Sequence, residues 1–348
     1  DNKDQTEILY EGNERFVRRV IELDIEEIKK SSTKQISLKQ NGIYLITGGA
    51  GGLGLIFSKY LAEKYKAKLV LTGRSKLSEE KKKKIEEIEK LGSEVLYIQA
   101  DVSNLKDMER VIKEAKERFK ELNGVIHSAG IIEDAFILKK DKESFERVIN
   151  PKVYGTLNLD QATKDENLDF FVMFSSIASV TGNLGQCDYA TANRFMDSYA
   201  ELRENLRKDG KRSGQTLSIN WPLWKEGGMK LTPETEELML KVTGMKALTK
   251  ELGIKAFEEA LSTDKQQVIV IAGEKERINQ LLQIDQSKAK EEALQKRDIE
   301  NPQKEQLFKE AESYFKKLLA NEIKVPESKI NSNETLEKYG IDSIMVMK

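Results

Sequence analysis

The stretch Ile43-Tyr44-Leu45-Ile46-Thr47-Gly48-Gly49-Ala50-Gly51-Gly52-Leu53-Gly54 joins an apolar run to a glycine-rich turn. The apolar run reads as a buried strand, and Leu53, Ile56, Phe57, Tyr60 and Leu61 then recur at helical spacing. The glycines therefore fall on a strand-to-helix turn. Lacking Cβ atoms, they let backbone N–H groups and a helix N-terminus approach a pyrophosphate. Gly49, Gly51 and Gly54 satisfy GxGxxG, a weak pattern alone that gains specificity from the strand before it and the helix after it.

On either side of this turn the pattern is β–α alternation. Strands are expected at 68–72, 94–99, 123–127, 169–175, 216–220 and 267–272. Between them, Leu105, Met108, Val111, Ile112, Ala115 and Phe119 share one helical face, and Leu252, Ala256, Phe257, Ala260 and Leu261 share another. Short continuous apolar strands between amphipathic helices predict an α/β fold: a Rossmann-like doubly wound parallel sheet of about seven strands. Ile8-Leu9-Tyr10 and residues 15–21 suggest an N-terminal hairpin turning at Gly12-Asn13, followed by a polar connector. From Glu274 to about Gln303 the chain is charged and reads as a linker. Leu307, Ala311, Tyr314, Phe315 and Leu318 restart an amphipathic helix, the start of a C-terminal helical tail. The expected divisions are 1–40, 41–275, 276–304 and 305–348.

Composition narrows the function. The 348 residues carry 58 basic and 59 acidic groups, so nucleic-acid binding has no electrostatic support. No apolar run reaches membrane-spanning length and no signal peptide opens the chain, which gives a cytoplasmic expectation. The one cysteine, Cys187, excludes an internal disulfide, and reads as a small filler. The one histidine, His127, lies in a strand-like run and reads as a packed neighbour of the cofactor. One cysteine and one histidine exclude the usual zinc sites, so no metal is expected, and they argue against a Ser-His-Asp hydrolase. Lys81-Lys82-Lys83-Lys84 reads as a solvated helix face.

The second strand ends in Thr72-Gly73-Arg74-Ser75, where an acidic residue would bind a ribose 2′-hydroxyl. The Arg74 guanidinium beside Ser75 suits a 2′-phosphate instead, which reads as NADPH. Asp101 and Val102 end the third strand, beside the expected adenine. Ser128, Ala129 and Gly130 end the fourth, where small side chains let a cofactor lie close. Ser176 ends the strand at 169–175. Tyr189 lies thirteen residues further on, at the start of a helix, and Asn193 follows on the same helix face.

This arrangement, over roughly residues 40–275, resembles the short-chain dehydrogenase/reductase family. Simple members carry Tyr-x-x-x-Lys, whereas this chain has Tyr189-Ala190-Thr191-Ala192-Asn193. Lys152, in Asn150-Pro151-Lys152, supplies the missing ammonium from the preceding helix. The exchanged Lys and Asn positions resemble the ketoreductase domains of bacterial modular polyketide synthases. So do Asn220-Trp221-Pro222-Leu223-Trp224 and Gly227-Gly228-Met229.

The resemblance implies reduction of a ketoacyl thioester by NADPH. Tyr189 would give a proton, Ser176 would hydrogen-bond the developing oxyanion, and Lys152 would lower the Tyr189 pKa and hold the nicotinamide ribose. Asn193 would order a water. The turn residues Thr47, Gly48, Gly49, Gly51, Gly52, Leu53 and Gly54 would bind the cofactor. Asp134, in Ile132-Glu133-Asp134, matches the last aspartate of the B-type motif, and Thr181 stands where A-type enzymes carry tryptophan, which together imply a D-hydroxy product. Leu184, where many B-type members have proline, and Trp224 complete the substrate side.

The N-terminal hairpin resembles the end of the structural subdomain that precedes such a catalytic half. The tail from about Gln306 resembles the start of an acyl carrier protein, with Ser343 of Gly340-Ile341-Asp342-Ser343 at the phosphopantetheine attachment position. The implied partners are a carrier protein delivering the thioester and neighbouring synthase domains, with the excised chain a monomer. Residues 230–247 are expected either as a lid, with Leu231, Leu238, Leu240, Val242 and Met245 facing an acyl chain, or as an ordinary core helix. The rival readings are a free-standing short-chain or fatty-acid reductase and a catalytically silent structural domain.

Overall fold

The computed structural model describes residues 7–12, 14–31, 38–228, 232–284, 309–310, 312–314, 316–317, 320 and 326–331. The chain divides into two units, Asp1–Ile284 and Asp285–Lys348. In the first, an antiparallel hairpin, β1 (Ile8–Glu11) and β2 (Glu14–Val17), precedes α1 (Ile25–Ser31). Strands and helices then alternate: β3 (Ile43–Thr47), α2 (Gly52–Tyr65), β4 (Lys68–Gly73), α3 (Glu79–Glu89), β5 (Glu94–Gln99), α4 (Leu105–Phe119), β6 (Gly124–His127), α5 (Lys142–Ala162), β7 (Phe170–Ser176), the short α6 (Ala178–Thr181), α7 (Cys187–Lys208) and β8 (Gln215–Trp221). Next come α8 (Pro233–Thr243), β9 (Met245–Lys246), α9 (Lys250–Leu261), β10 (Gln267–Ile269), β11 (Ala272–Gly273) and α10 (Lys275–Leu282).

Seven strands form one parallel sheet in the order β10-β8-β7-β6-β3-β4-β5. The order reverses between β3 and β6, so a crevice opens there at the carboxyl ends of the strands. β3 is buried along its whole length, which is why it is an unbroken apolar run rather than an alternation. The helices cover both faces. On one, the Phe57 ring lies 4.8 Å from both Phe174 and Phe257 and 5.8 Å from Trp224. On the other, α4 buries Met108, Val111, Ile112, Ala115 and Phe119, and Asn104 caps its first turn.

α5 and α7 lie side by side and share a buried ion cluster. Asp160 accepts from Arg203 Nε at 2.7 Å, from Arg212 Nε at 2.9 Å and from the Tyr199 hydroxyl at 2.8 Å. The Arg203 guanidinium also donates to the Ser213 and Gly214 carbonyls and to Thr216. These bonds offset its desolvation, and they leave Asp160 the carboxylate that answers two cations.

The structure amends several expectations. The expected strand at 267–272 splits: Gln267–Ile269 pairs with β8, while Ala272–Gly273 pairs antiparallel with β9. Gly273, at φ 150°, makes the departure that a side chain would resist. The second hairpin strand ends at Val17, not residue 21. Leu252 turns to solvent, while Gly253 takes the inner position of α9 because an added Cβ would lie 2.0 Å from the Trp224 ring. The linker expected from residue 276 begins later, since α10 buries Ile278 and Asn279 and the first unit runs to Ile284.

In the second unit, the described residues between 309 and 320 are helical, with Glu312 and Lys316 paired at 3.0 Å. Leu307, Ala311, Phe315, Leu318 and Ser343 lie outside the described residues. Among the described residues, no helix is long and apolar enough to cross a membrane, and no group of three or more metal-ligating side chains assembles.

Candidate active site

A cleft of about 1160 Å³ opens at the switch point between β3 and β6. Its floor begins at the turn from β3 into α2. Gly48 takes a φ of 65°, and a Cβ there would meet the Ala129 backbone at 3.0 Å. Gly54 lets α2 pack on the turn, since an added Cβ would sit 2.4 Å from the Gly48 carbonyl oxygen. Gly48, Gly51, Gly52 and Leu53 line the cleft, whereas Thr47, Gly49 and Gly54 lie beneath it. Thr47 ties the turn to β6: its Oγ1 lies 2.7 Å from His127 Nδ1 and accepts from Ala129 N–H. Burial, with the Lys152 ammonium nearby, pushes the His127 imidazolium down to about 3. The ring is therefore neutral, and the Pro151 backbone beside it opposes the shift only in part.

Arg74, Ser75, Val102, Ser128, Ala129 and Gly130 line the same cleft. Asp101 does not. Its carboxylate accepts the Ser103 N–H at 2.9 Å and shapes the loop after β5. Lys81 does line it, contrary to the solvated face expected for 81–84, because it lies on the first turn of α3, which faces the Arg74 loop. Lys82 and Lys84 behave as expected and pair with Glu79 and Glu80.

β7 ends by delivering Ser176, and α7 brings Tyr189 opposite it. Lys152 projects from α5; its Nζ donates to the Phe174 carbonyl at 2.9 Å and lies 5.7 Å from the Tyr189 ring centre. Burial pulls the Lys152 ammonium down to about 7, with the Asp197 carboxylate opposing. Burial pushes the Tyr189 phenol up, the Ser176 and Asn193 side chains pull it back, and the Asp134 carboxylate adds to the rise. Asn193 is buried behind Tyr189, where its Nδ2 donates to the Tyr189 carbonyl at 2.7 Å. Its Oδ1 has no protein partner among the described residues.

Asp134 and Trp224 line the substrate end, and Leu184 lies outside it at 81% exposure. The helix expected as a lid is α8, and no described side chain of it is buried. It turns Thr235, Met239 and Thr243 to the cleft, one face at helical spacing, together with Met245. Of the side chains expected to face an acyl chain, Met245 lines the cleft, whereas Leu238 and Val242 point to solvent. Leu231 lies outside the described residues. The sequence reading also passed over Gln186, whose amide donates to both Asp134 oxygens at 3.0 Å, and Lys140, whose ammonium is buried against Asp188. Gln186 sits three residues before Tyr189, a position that was open to inspection, whereas nothing separates Lys140 from the lysines around it.

A doubly wound sheet with Ser176, Tyr189 and Lys152 gathered at its switch point defines a site of the short-chain dehydrogenase/reductase class. A profile of the KR domain matches residues 42–226. Polyketide synthases PksL and PksM of Bacillus subtilis (strain 168) are 42% and 40% identical to the chain over 98% of its length. The chain spans about 8% of either protein. A crystallised ketoreductase domain from the bacillaene assembly line is 45% identical, with a TM-score of 0.74 over 79% of this chain and 64% of that one. An N-terminal ketoreductase from the macrolactin assembly line is 47% identical, with a TM-score of 0.66 over 77% of this chain and 50% of that one. The chain belongs to the KR-domain family, the ketoreductases of polyketide synthases, and is an oxidoreductase.

Proposed function

We propose that the chain reduces a ketoacyl thioester, β-keto and held on an acyl carrier protein, to the D-hydroxyacyl thioester during polyketide chain building, with NADPH as reductant. The observation that carries this reading is the convergence of Ser176, Tyr189 and Lys152 on the cleft that the glycine turn floors. The donor set fits a dinucleotide phosphate. Gly48, Gly51 and Gly52 leave room for close backbone approach at the N-terminus of α2, and Arg74, Ser75 and Lys81 offer cationic and hydroxyl groups to a 2′-phosphate. When bound, NADPH supplies a hydride to the carbonyl carbon.

The chain's own residues do the rest. Tyr189 donates its phenolic proton to the carbonyl oxygen, a role suited to a phenol that burial keeps protonated. Ser176 donates a hydrogen bond to the same oxygen, where negative charge develops. The Lys152 ammonium favours the phenolate that the transfer leaves and would hold the nicotinamide ribose of a bound NADPH. Asn193 Oδ1 is the acceptor for a water that returns the proton. α8, with Thr235, Met239 and Thr243, covers the acyl chain. The partners under this reading are the carrier protein and neighbouring domains of a cytoplasmic synthase. Under the same reading Ser343 marks the phosphopantetheine attachment position and is unmodified in this chain.

The test is NADPH oxidation with a β-ketoacyl pantetheine thioester, run beside NADH and the Tyr189→Phe variant. Turnover with NADPH that the variant abolishes supports the reading. Binding of NADPH without reduction of any ketone overturns it.

A further inference from the structure

We propose that Lys140 is a positioning residue for the reduction: it fastens the loop that carries Asp134 to the turn preceding Tyr189 and so sets which face of the ketone meets the hydride. The proposal rests on the ketoreductase reading above and adds a residue and a role to it.

The loop between β6 and α5 lines the cleft with Ile131, Ile132 and Asp134. Its two acidic neighbours diverge. Glu133 turns away and takes a two-point bond from Arg147, at 2.9 Å for each oxygen. Asp134 turns inward and receives the Gln186 amide. Ala135 N–H donates to the Gly185 carbonyl at 3.0 Å, so the loop meets the turn before α7 at two further atoms.

Lys140 completes the closure. Its Nζ donates to the Glu133 carbonyl and to Asp188 Oδ2, each at 2.5 Å. One ammonium thus ties the middle of the loop, its end and the first turn of α7. Asp188 is the residue before Tyr189, and its other oxygen accepts the Tyr189 N–H at 2.8 Å. The route from Lys140 to the proton donor is therefore one carboxylate long.

Burial sharpens the point. The Lys140 and Asp188 side chains are 3% and 1% exposed. Among the described residues, the one other ion pair so fully enclosed is Arg203 with Asp160. A buried pair gains little stability over an apolar one of the same shape, but it holds one geometry, since any other leaves a charge unanswered. Beside a cleft whose loop and helix must agree on the pose of a ketone, a fixed geometry is the useful property.

The experiment compares the full chain with Lys140→Met, Lys140→Arg and Asp188→Asn. It measures the enantiomer ratio of the alcohol, kcat and KM, NADPH affinity, thermal melting, and deuterium exchange of residues 131–141. The proposal expects Lys140→Met and Asp188→Asn to bind NADPH as the parent does. Both should exchange faster in that loop, lose about ten- to a hundredfold in kcat and form a mixed alcohol product. Lys140→Arg should restore the parental ratio. An unchanged enantiomer ratio in folded variants overturns the proposal, as does loss of NADPH binding in step with kcat. If Lys140→Met does not fold, Asp188→Asn and the apolar pair Lys140→Met with Asp188→Leu decide by the same readouts. If the parent reduces a small prochiral ketone but no thioester, the substrate reading fails and the ratio on the small ketone decides the role of Lys140.

Discussion

Tyr189 and Lys152 are a matched pair with opposite burial responses. Burial raises the phenol, which keeps it a proton donor, and lowers the ammonium to about 7. Replacing Tyr189 with Phe removes the donor and keeps the ring. We expect kcat to fall by about 10²- to 10⁴-fold while NADPH still binds, measured by NADPH oxidation and by fluorescence titration. Lys152 is charged below its folded pKa, so the reduction loses its ammonium as pH rises through about 7. The profile of kcat/KM against pH should therefore fall on the alkaline side, beginning near 7. A flat profile to pH 9 would mean that the Lys152 ammonium stays charged against the pull of burial. Tyr189 and Ser176 were legible because a strand end and a helix start at that separation leave few other partners. Lys152 needed the resemblance, since a lysine inside a helix has no local mark. Asp101 stands off the cleft lining, since one of its oxygens holds the loop after β5.

At the scale of elements, the β3–α2 turn depends on backbone meeting backbone. A Cβ on Gly52 would lie 2.1 Å from the Gly227 carbonyl oxygen, in the loop after β8. Gly52→Ala must push that loop away or deform the first turn of α2. We expect NADPH affinity to fall by more than about tenfold, by titration, with the fold retained. α8 makes the opposite case, since it has no buried described side chain and reaches the cleft through Met239. Met239→Ser should raise KM for a long acyl thioester and leave NADPH affinity unchanged, which steady-state kinetics with short and long chains would separate. All seven strands of the sheet were legible, the last drawn three residues too long, because strands covered on both faces leave unbroken apolar runs. The exposed side of α9 and the turned face of α8 were not, because neither follows from hydrophobicity when a glycine or a methionine takes the inner position.

For the whole molecule, pH reaches stability through His127. Its folded pKa of about 3 lies below the ordinary value of 6.5, so the unfolded chain binds the proton more tightly. Stability from this group is complete above 6.5 and drains as pH falls towards 3, on the order of 5 kcal/mol in all. Urea unfolding between pH 7 and 4 should show that loss, and a variant with asparagine at 127 should flatten it.

Asp160 has a different reach. It binds Arg203 and Arg212 where α5 and α7 run together, far along both helices from Lys152 and Tyr189. The two helices behave as the tines of a tuning fork, and Asp160 is where they meet the handle. Asp160→Asn should cost about 3–5 kcal/mol, read as a lower melting temperature, because two guanidiniums lose their shared anion. The spacing of the tips is set at the stem, so a slackened stem would detune the proton donor without touching it.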